Sequence, residues 1–425
     1  MDIIKKLLRY EKDDSLIRDG IILFTATMIA NAAGYIYHFG MGRFLGPADY
    51  GALGAILSLL YLLLVPFNVI QTTISKFVAK FKAENKLDSI NYLLYRSLRK
   101  LLILGIILLI IFIAMSRLLS GFLKIDQLSI VIFLLVTPLT LLLPVNRGVF
   151  QGMQSFKKLG ANIVVEALSK LVVGFVLVLL GFKLAGAVLG IVMSYLFSFG
   201  FSLFKLRKKY SRKYAEIEKS SIYKYSIPVL VTLLSLTAFY SIDVILVKHY
   251  FDGVSSGYYA AAALLGRIVF FATLAISMVM FPKVAEMDAK NKPNVHILKK
   301  AIIMVLIVSL AITIGYFMMP RLVVLMLFGS TYIGIADYIA PFAIIMSLFS
   351  LSYLLAMYNL SLNRIKFIYL LLVYNVLEVT GIILMHDSIS QVIIILMIIM
   401  GLMFITLLLF TLIKNARTVN NNTGI

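Results

Sequence analysis

The sequence predicts an all-α polytopic membrane protein of about twelve transmembrane helices, and three observations carry that reading. Mean hydropathy is +1.00 and only 14% of residues are charged, against roughly 25% in a soluble domain. Apolar runs recur along all 425 residues, each long enough to cross roughly 30 Å of hydrocarbon. Lysine and arginine fall almost entirely in alternate breaks between those runs, the pattern that fixes membrane orientation.

Taken in order, the runs lie near 20–40, 51–75, 100–116, 128–147, 161–182, 184–204, 227–249, 257–281, 301–319, 337–360, 367–385 and 389–413. The first follows Lys5, Lys6, Arg9 and Lys12 and is too long for a signal-peptide core, so it reads as a retained span. The longest polar break, 205–226, divides the chain into 1–204 and 227–425, six spans each, the second half ending in a short tail. Counted by side, 32 of the 40 basic residues fall in one set of loops and the termini, six fall in the other set, and two lie inside spans. The rich side is therefore cytoplasmic, with both termini on it. A net charge of +21 placed this way faces an anionic membrane surface and not nucleic acid.

Several chemistries are absent. There is no G-x-x-x-x-G-K-[ST] loop, no H-E-x-x-H and no G-x-S-x-G elbow. Cysteine is missing, which excludes thiolate metal sites. His38, His249, His296 and His386 are scattered without the spacing of a metal pair. The loops opposite the basic side are too short to house an enzyme domain. The sequence calls for no metal and no cofactor, and it leaves transport as the leading class of function.

An ionised side chain in mid-membrane costs roughly 2.5–3.5 kcal/mol, so each one needs a partner, a watery cavity or a role. Glu166 and Lys170 are spaced i, i+4 in the favoured order for a helix pair, either as a self-neutralised pair or as a cavity wall. Asp243 and Arg267 lie at depths that an arginine side chain can bridge, so a salt bridge and separate roles both stand. Glu378, with Asn375 one turn away, is a helix contact or a cation or proton site. Glu166 joins it as a candidate for ion coupling. Asn31, Asn68 and Gln71 add neutral polar groups, as interhelical hydrogen-bonding partners or as ligands.

Between the first two spans the chain runs Gly42-Arg43-Phe44-Leu45-Gly46-Pro47-Ala48-Asp49-Tyr50-Gly51, with glycine and proline supplying a sharp turn. Phe251-Asp252-Gly253-Val254-Ser255-Ser256-Gly257-Tyr258-Tyr259 holds the same place in the second half. The two make a weak internal repeat of six spans per copy in one orientation. The first loop resembles the G-R-x-L-G-x-x-x-Y-G of the oligosaccharide flippases, or polysaccharide biosynthesis proteins, of the multidrug/oligosaccharidyl-lipid/polysaccharide exporter superfamily. Three further stretches resemble that family in order and spacing. They are Phe150-Gln151-Gly152-Met153 with Glu166-Ala167-Leu168-Ser169-Lys170-Leu171 downstream, Asp243 through Gly257-Tyr258-Tyr259-Ala260 to Arg267 and Met280-Phe281-Pro282, and Leu327-Phe328-Gly329-Ser330-Thr331-Tyr332.

The resemblance implies two six-helix bundles in a V around a central cavity, and alternating-access transfer of a polyprenyl-(pyro)phosphate-linked oligosaccharide to the outer leaflet. The matching substrate-binding candidates are Arg267, Asp243, Asn31, Asn68 and Gln71, with Lys170 from the fifth span. Membrane lipid and glycan-assembly enzymes are the implied partners. An uncharged first span and a count of twelve argue against a lipid II substrate. A multidrug cation antiporter of the same superfamily is the alternative within transport, though it would want acidic cavity groups without basic ones. A membrane enzyme of glycan polymerisation is the alternative outside it.

Overall fold

The structure, a computed structural model, describes residues 2–207, 220–290 and 293–423. All regular structure among them is helical: α1 (Asp2–Ala83), α2 (Leu87–Ala114), α3 (Ser116–Leu123), α4 (Gln127–Leu134), α5 (Thr137–Gly152), α6 (Phe156–Leu177), α7 (Lys183–Leu206), α8 (Ser220–Ala238), α9 (Ile242–Tyr250), α10 (Gly253–Ala289), α11 (Val295–Met318), α12 (Pro320–Leu327), α13 (Ala336–Ser361), α14 (Phe367–Leu384) and α15 (Ile389–Thr423). Nine stretches of the described residues are long and apolar enough to cross a membrane, and the bent pair Ile227–Ala238 and Ile242–Tyr250 makes a tenth. Two of the nine are of double length, Ile21–Ala83 with 63 residues and Phe156–Leu206 with 51. At 1.5 Å per residue these are about 95 and about 77 Å long, so each holds two crossings and the total is the expected twelve.

Each double-length stretch turns on a glycine. In α1 the break is Gly46, at φ 73 and ψ 174. No atom would obstruct a Cβ there, so glycine is required for its conformation and not for space. In the second stretch Gly181, at φ 93, is the non-helical residue inside a π-helical turn, Val178–Phe182, that leads into α7.

Two compact units result. One comprises Met1–Leu45 and Leu63–Ser226, the other Gly46–Leu62 and Ile227–Ile425. Residues 208–219, the middle of the long polar break, lie outside the described residues. In the first unit α5 is buried along nearly its whole length. A Cβ on Gly148 would sit 2.8 Å from the Gln71 carbonyl oxygen, and one on Gly152 would sit 2.5 Å from that of Ser75. This small-x-x-x-small face brings two helices together where no hydrophobic force acts between them. In the second unit α10 packs on α13, and the short run Ala260–Ala263 and Gly266 allows equally close approach.

The predicted seventh span is not one continuous helix. It breaks between α8 and α9 with a bend of 41°, and Tyr240 and Ser241 close i→i−3 turns on Thr237 and Ala238. No glycine or proline marks the place. The available signal was the density of Thr232, Ser235, Thr237 and Ser241 within an apolar run, because hydroxyls compete locally for backbone groups.

Candidate functional site

In the first unit the polar centre is built on Arg147, a residue that sequence reading counts among the loop charges. The structure places it inside α5, 7% exposed. Its Nε donates to Asn162 Oδ1 at 2.6 Å, and its Nη2 donates to Glu166 Oε2 at 2.7 Å and to Ser198 Oγ at 3.2 Å. The guanidinium also lies 5.6 Å from the Phe67 ring centroid. Glu166 is thus ion-paired across helices with Arg147, so of the two readings left open the self-contained pair with Lys170 is not the one formed. Lys170 instead sits over the Tyr37 ring, 5.1 Å from its centroid. The reason is reach: Arg147 supplies several planar donors to acceptors from α6 and α7 at once, whereas a lysine four residues along the same helix offers a single point charge. Sequence reading missed Arg147 because it stands at the very end of an apolar run and is counted with the loop that follows. The continuing apolar pattern through Val149 and Phe150 was the signal that the helix goes on.

The other first-unit candidates are more dispersed. Gln71 donates to Gln151 Oε1 at 3.0 Å, which ties α1 to the Phe150-Gln151-Gly152 motif. Asn31 and Asn68 are exposed. Gly42 and Arg43, the start of the outer-loop motif, also belong to this unit.

In the second unit the break between α8 and α9 organises the charged residues. A broken helix leaves carbonyls without intrahelical partners and presents a new helix N-terminus. Arg267 takes the first: its Nη2 donates to the Tyr240 carbonyl oxygen. It also lies beside two aromatic rings, with guanidinium-to-centroid distances of 5.7 Å to Tyr61 and 5.6 Å to Tyr240. Asp243 takes the second, lying in the first turn of α9 and accepting from the Tyr259 hydroxyl at 2.9 Å.

The direct Asp243–Arg267 salt bridge left open by the sequence is not formed. Each residue satisfies part of its need from the helix break and keeps an unpaired atom, Oδ1 of Asp243 and Nε of Arg267. Both residues are buried, at 1% and 5% exposure. Glu378 on α14 is fully buried, neither carboxylate oxygen has a hydrogen-bond partner in the protein, and it interacts electrostatically with Asp243. Asn375, one turn earlier, donates to the carbonyls of Leu371 and Ser235. Arg267, Asp243 and Glu378 therefore share one buried polar cluster with Tyr259, Tyr240 and Tyr61. Tyr61 and Tyr240 were not anticipated, since aromatic residues in apolar helices carry no distinguishing signal; Tyr259 belongs to the Gly257-Tyr258-Tyr259 stretch already singled out.

The two loops of the internal repeat meet within this unit. A Cβ on Gly257 would lie 1.8 Å from the Pro47 carbonyl oxygen, and one on Gly51 would lie 2.6 Å from the Gly257 nitrogen. Only glycines permit this backbone contact. Around it Tyr50 packs on Phe328 and Tyr332 at centroid distances of 5.5 and 6.2 Å. Tyr258 donates to the Thr331 carbonyl at 3.0 Å. Pro47, Tyr50 and Gly51 thus converge with Gly257-Tyr258 and with Phe328-Gly329-Ser330-Thr331-Tyr332, while Gly46 and Asp49 flank the contact in the same loop. Three stretches far apart in sequence are parts of a single contact.

Asp252 caps the start of α10. Its Oδ1 accepts from the backbone N–H of Val254 and of Ser255. Bonds from Ser255, side chain and backbone, and from Val254 hold its carboxyl below the usual carboxylate range. A depressed carboxyl stabilises the fold above its unfolded pKa of about 3.9, and that contribution is lost as pH falls through the folded value. Asp252→Ala should cost about 1 kcal/mol at neutral pH. The difference from the parent in micellar thermal unfolding should shrink below pH 4.

A family profile of polysaccharide biosynthesis proteins matches residues 16–288. An uncharacterized membrane protein of Methanocaldococcus jannaschii is 26% identical over 325 residues, covering 72% of this chain and 76% of the relative. Among solved structures, an inward-facing multidrug resistance MATE family transporter of the MOP superfamily superposes with a TM-score of 0.75 at 15% identity, covering 93% of this chain and 98% of that one. A MOP superfamily transporter from Pyrococcus furiosus, for which a reversed polarity of the binding pocket is reported, gives 0.63 at 15% identity, with 93% and 94% coverage. Twelve apolar crossings, the converging motifs and the profile match agree: the chain belongs to the polysaccharide biosynthesis protein family and has the fold of MOP-superfamily transporters.

Proposed function

We propose that this protein is a flippase that carries a polyprenyl-(pyro)phosphate-linked oligosaccharide from the cytoplasmic to the outer leaflet of the cell membrane by alternating access. The termini and basic loops face the cytoplasm in this reading, and glycan-assembly enzymes make and use the cargo. The observation that carries it is Arg267, a cation held near mid-membrane beside the rings of Tyr61 and Tyr240, whose Nε–H has no protein partner. That unpartnered N–H is a charged donor for an anion. In a low-dielectric setting a charge-assisted, in-plane contact to phosphate is far stronger than at a wet surface. Within the first unit, Lys170 over Tyr37 is the candidate cation, and Asn31, Asn68 and Gln71 are the candidate hydrogen-bonding groups for substrate. Asp243 and Glu378 have the chemistry of the coupling step: two enclosed carboxylates are tolerable only when a proton or cation shares their charge. Glu166 is the corresponding acid of the first unit.

Purified protein in liposomes should transfer a polyprenyl-pyrophosphate sugar between leaflets. Arg267→Ala should slow that transfer at least about 10-fold, the loss of one charged hydrogen bond. Arg267→Lys keeps the charge and loses the fork, and should be intermediate. A lysine variant that folds normally and transports at the parental rate would remove Arg267 from the mechanism. Extrusion of organic cations, with no movement of the lipid-linked sugar under any imposed gradient, would replace this reading with a multidrug antiporter.

A further inference from the structure

A cavity of about 590 Å³ lies between α10 and α11, wholly within the second unit and remote from the Arg267 cluster along α10. Its walls change character along their length. Ile276 and Val279 of α10 and Met304 of α11 line one part, and Lys283, His296 and Lys300 line the other. The spacing produces this polarity. On α11, His296, Lys300 and Met304 follow at i, i+4 and i+8. On α10, Ile276, Val279 and Lys283 follow at i, i+3 and i+7, so each helix turns one continuous face to the cavity. From His296 to Met304 is about 12 Å of helix axis.

We infer that this cavity binds an anionic phospholipid, with the phosphate at Lys283, His296 and Lys300 and the start of an acyl chain along Ile276, Val279 and Met304. Charge complementarity favours this occupant. None of the three basic side chains has an ion-pair or hydrogen-bond partner among the described residues, and they belong to the loop set richest in basic residues, where an anionic leaflet surface lies. The apolar walls argue for a tail. They continue into outward-facing Met278 and Ile303, 67% and 55% exposed, so a chain leaving the cavity passes directly onto apolar surface. A small soluble anion would use the basic end alone. The inference stands whatever the transporter carries.

The chain has no tryptophan, so an Ile276→Trp variant carries a single fluorophore in the cavity wall. Titrated in micelles with phosphatidylglycerol bearing brominated acyl chains, it should be quenched saturably, and brominated phosphatidylcholine should quench it far less. Lys283→Gln with Lys300→Gln in that background should weaken phosphatidylglycerol binding about 25-fold, at about 5-fold per lysine. Lys299→Gln should change little, because Lys299, exposed like Lys283 and Lys300, does not line the cavity. Equal quenching by the two lipids, or equal losses in the Lys299 control and the double variant, would overturn the proposal. Inorganic phosphate that abolishes quenching at millimolar concentration would assign the basic end to a free anion instead.

Discussion

Replacing Arg147 with alanine is expected to destabilise the first unit by about 3 kcal/mol, the low end for removing one member of a buried ion pair. Glu166 would lose its ion-pair partner, while Asn162 Oδ1 and Ser198 Oγ would each lose a charged donor. The low end applies because a helix unfolded within the membrane still finds other partners for its polar groups. Glu166→Gln should be milder, since Arg147 keeps Asn162 and Ser198. Arg147→Met combined with Glu166→Leu should recover much of the loss, because well-packed apolar residues often replace a buried pair at little cost. Thermal unfolding in micelles reads all three variants. An Arg147→Ala protein that melts with the parent would show that the network contributes nothing to stability.

The largest effect on activity is expected from joining the two repeat loops covalently. A Cβ on Gly253 would lie 3.1 Å from that of Ala48, and disulfides span about 3.5–4.5 Å between Cβ atoms. A shift of a few tenths of an ångström therefore suffices. In a chain without cysteine, Ala48→Cys with Gly253→Cys gives one defined cross-link. Alternating access requires elements to separate and rejoin during each cycle. Oxidised double variant should therefore lose essentially all transport in liposomes, reductant should restore it, and each single variant should remain active. A fully cross-linked protein that still transports would exclude this contact from the moving parts.

The glycines at the contact show why the family motifs are spaced as they are. Gly51 and Gly257 are 206 positions apart, yet the Gly257 backbone occupies the space that a side chain on Gly51 would need, and the Pro47 backbone occupies the space that one on Gly257 would need. Tyr50, Phe328 and Tyr332 then seal the same place with rings. As sequence, these are three short matches; as structure, they are one interface.

What the sequence determined by itself is the membrane architecture: twelve crossings, their order, and the breaks at Gly46 and near Gly181. These follow from local rules, because hydrocarbon thickness sets the length of each apolar run and unsatisfied backbone excludes everything but helix. It also singled out Asp243, Arg267 and Glu378, since a charge in an apolar run is conspicuous wherever it sits. Only the tertiary structure decided what those charges do. Arg147 proved to be core because the partners that justify burying it, Asn162, Glu166 and Ser198, come from other helices. Arg267 chose a carbonyl and two tyrosine faces over Asp243 because α8 and α9 part at Tyr240, freeing backbone groups that a continuous helix would have satisfied. Pairing across helices depends on distances that no spacing within one helix encodes, so the choice of partner is legible only once the helices are packed.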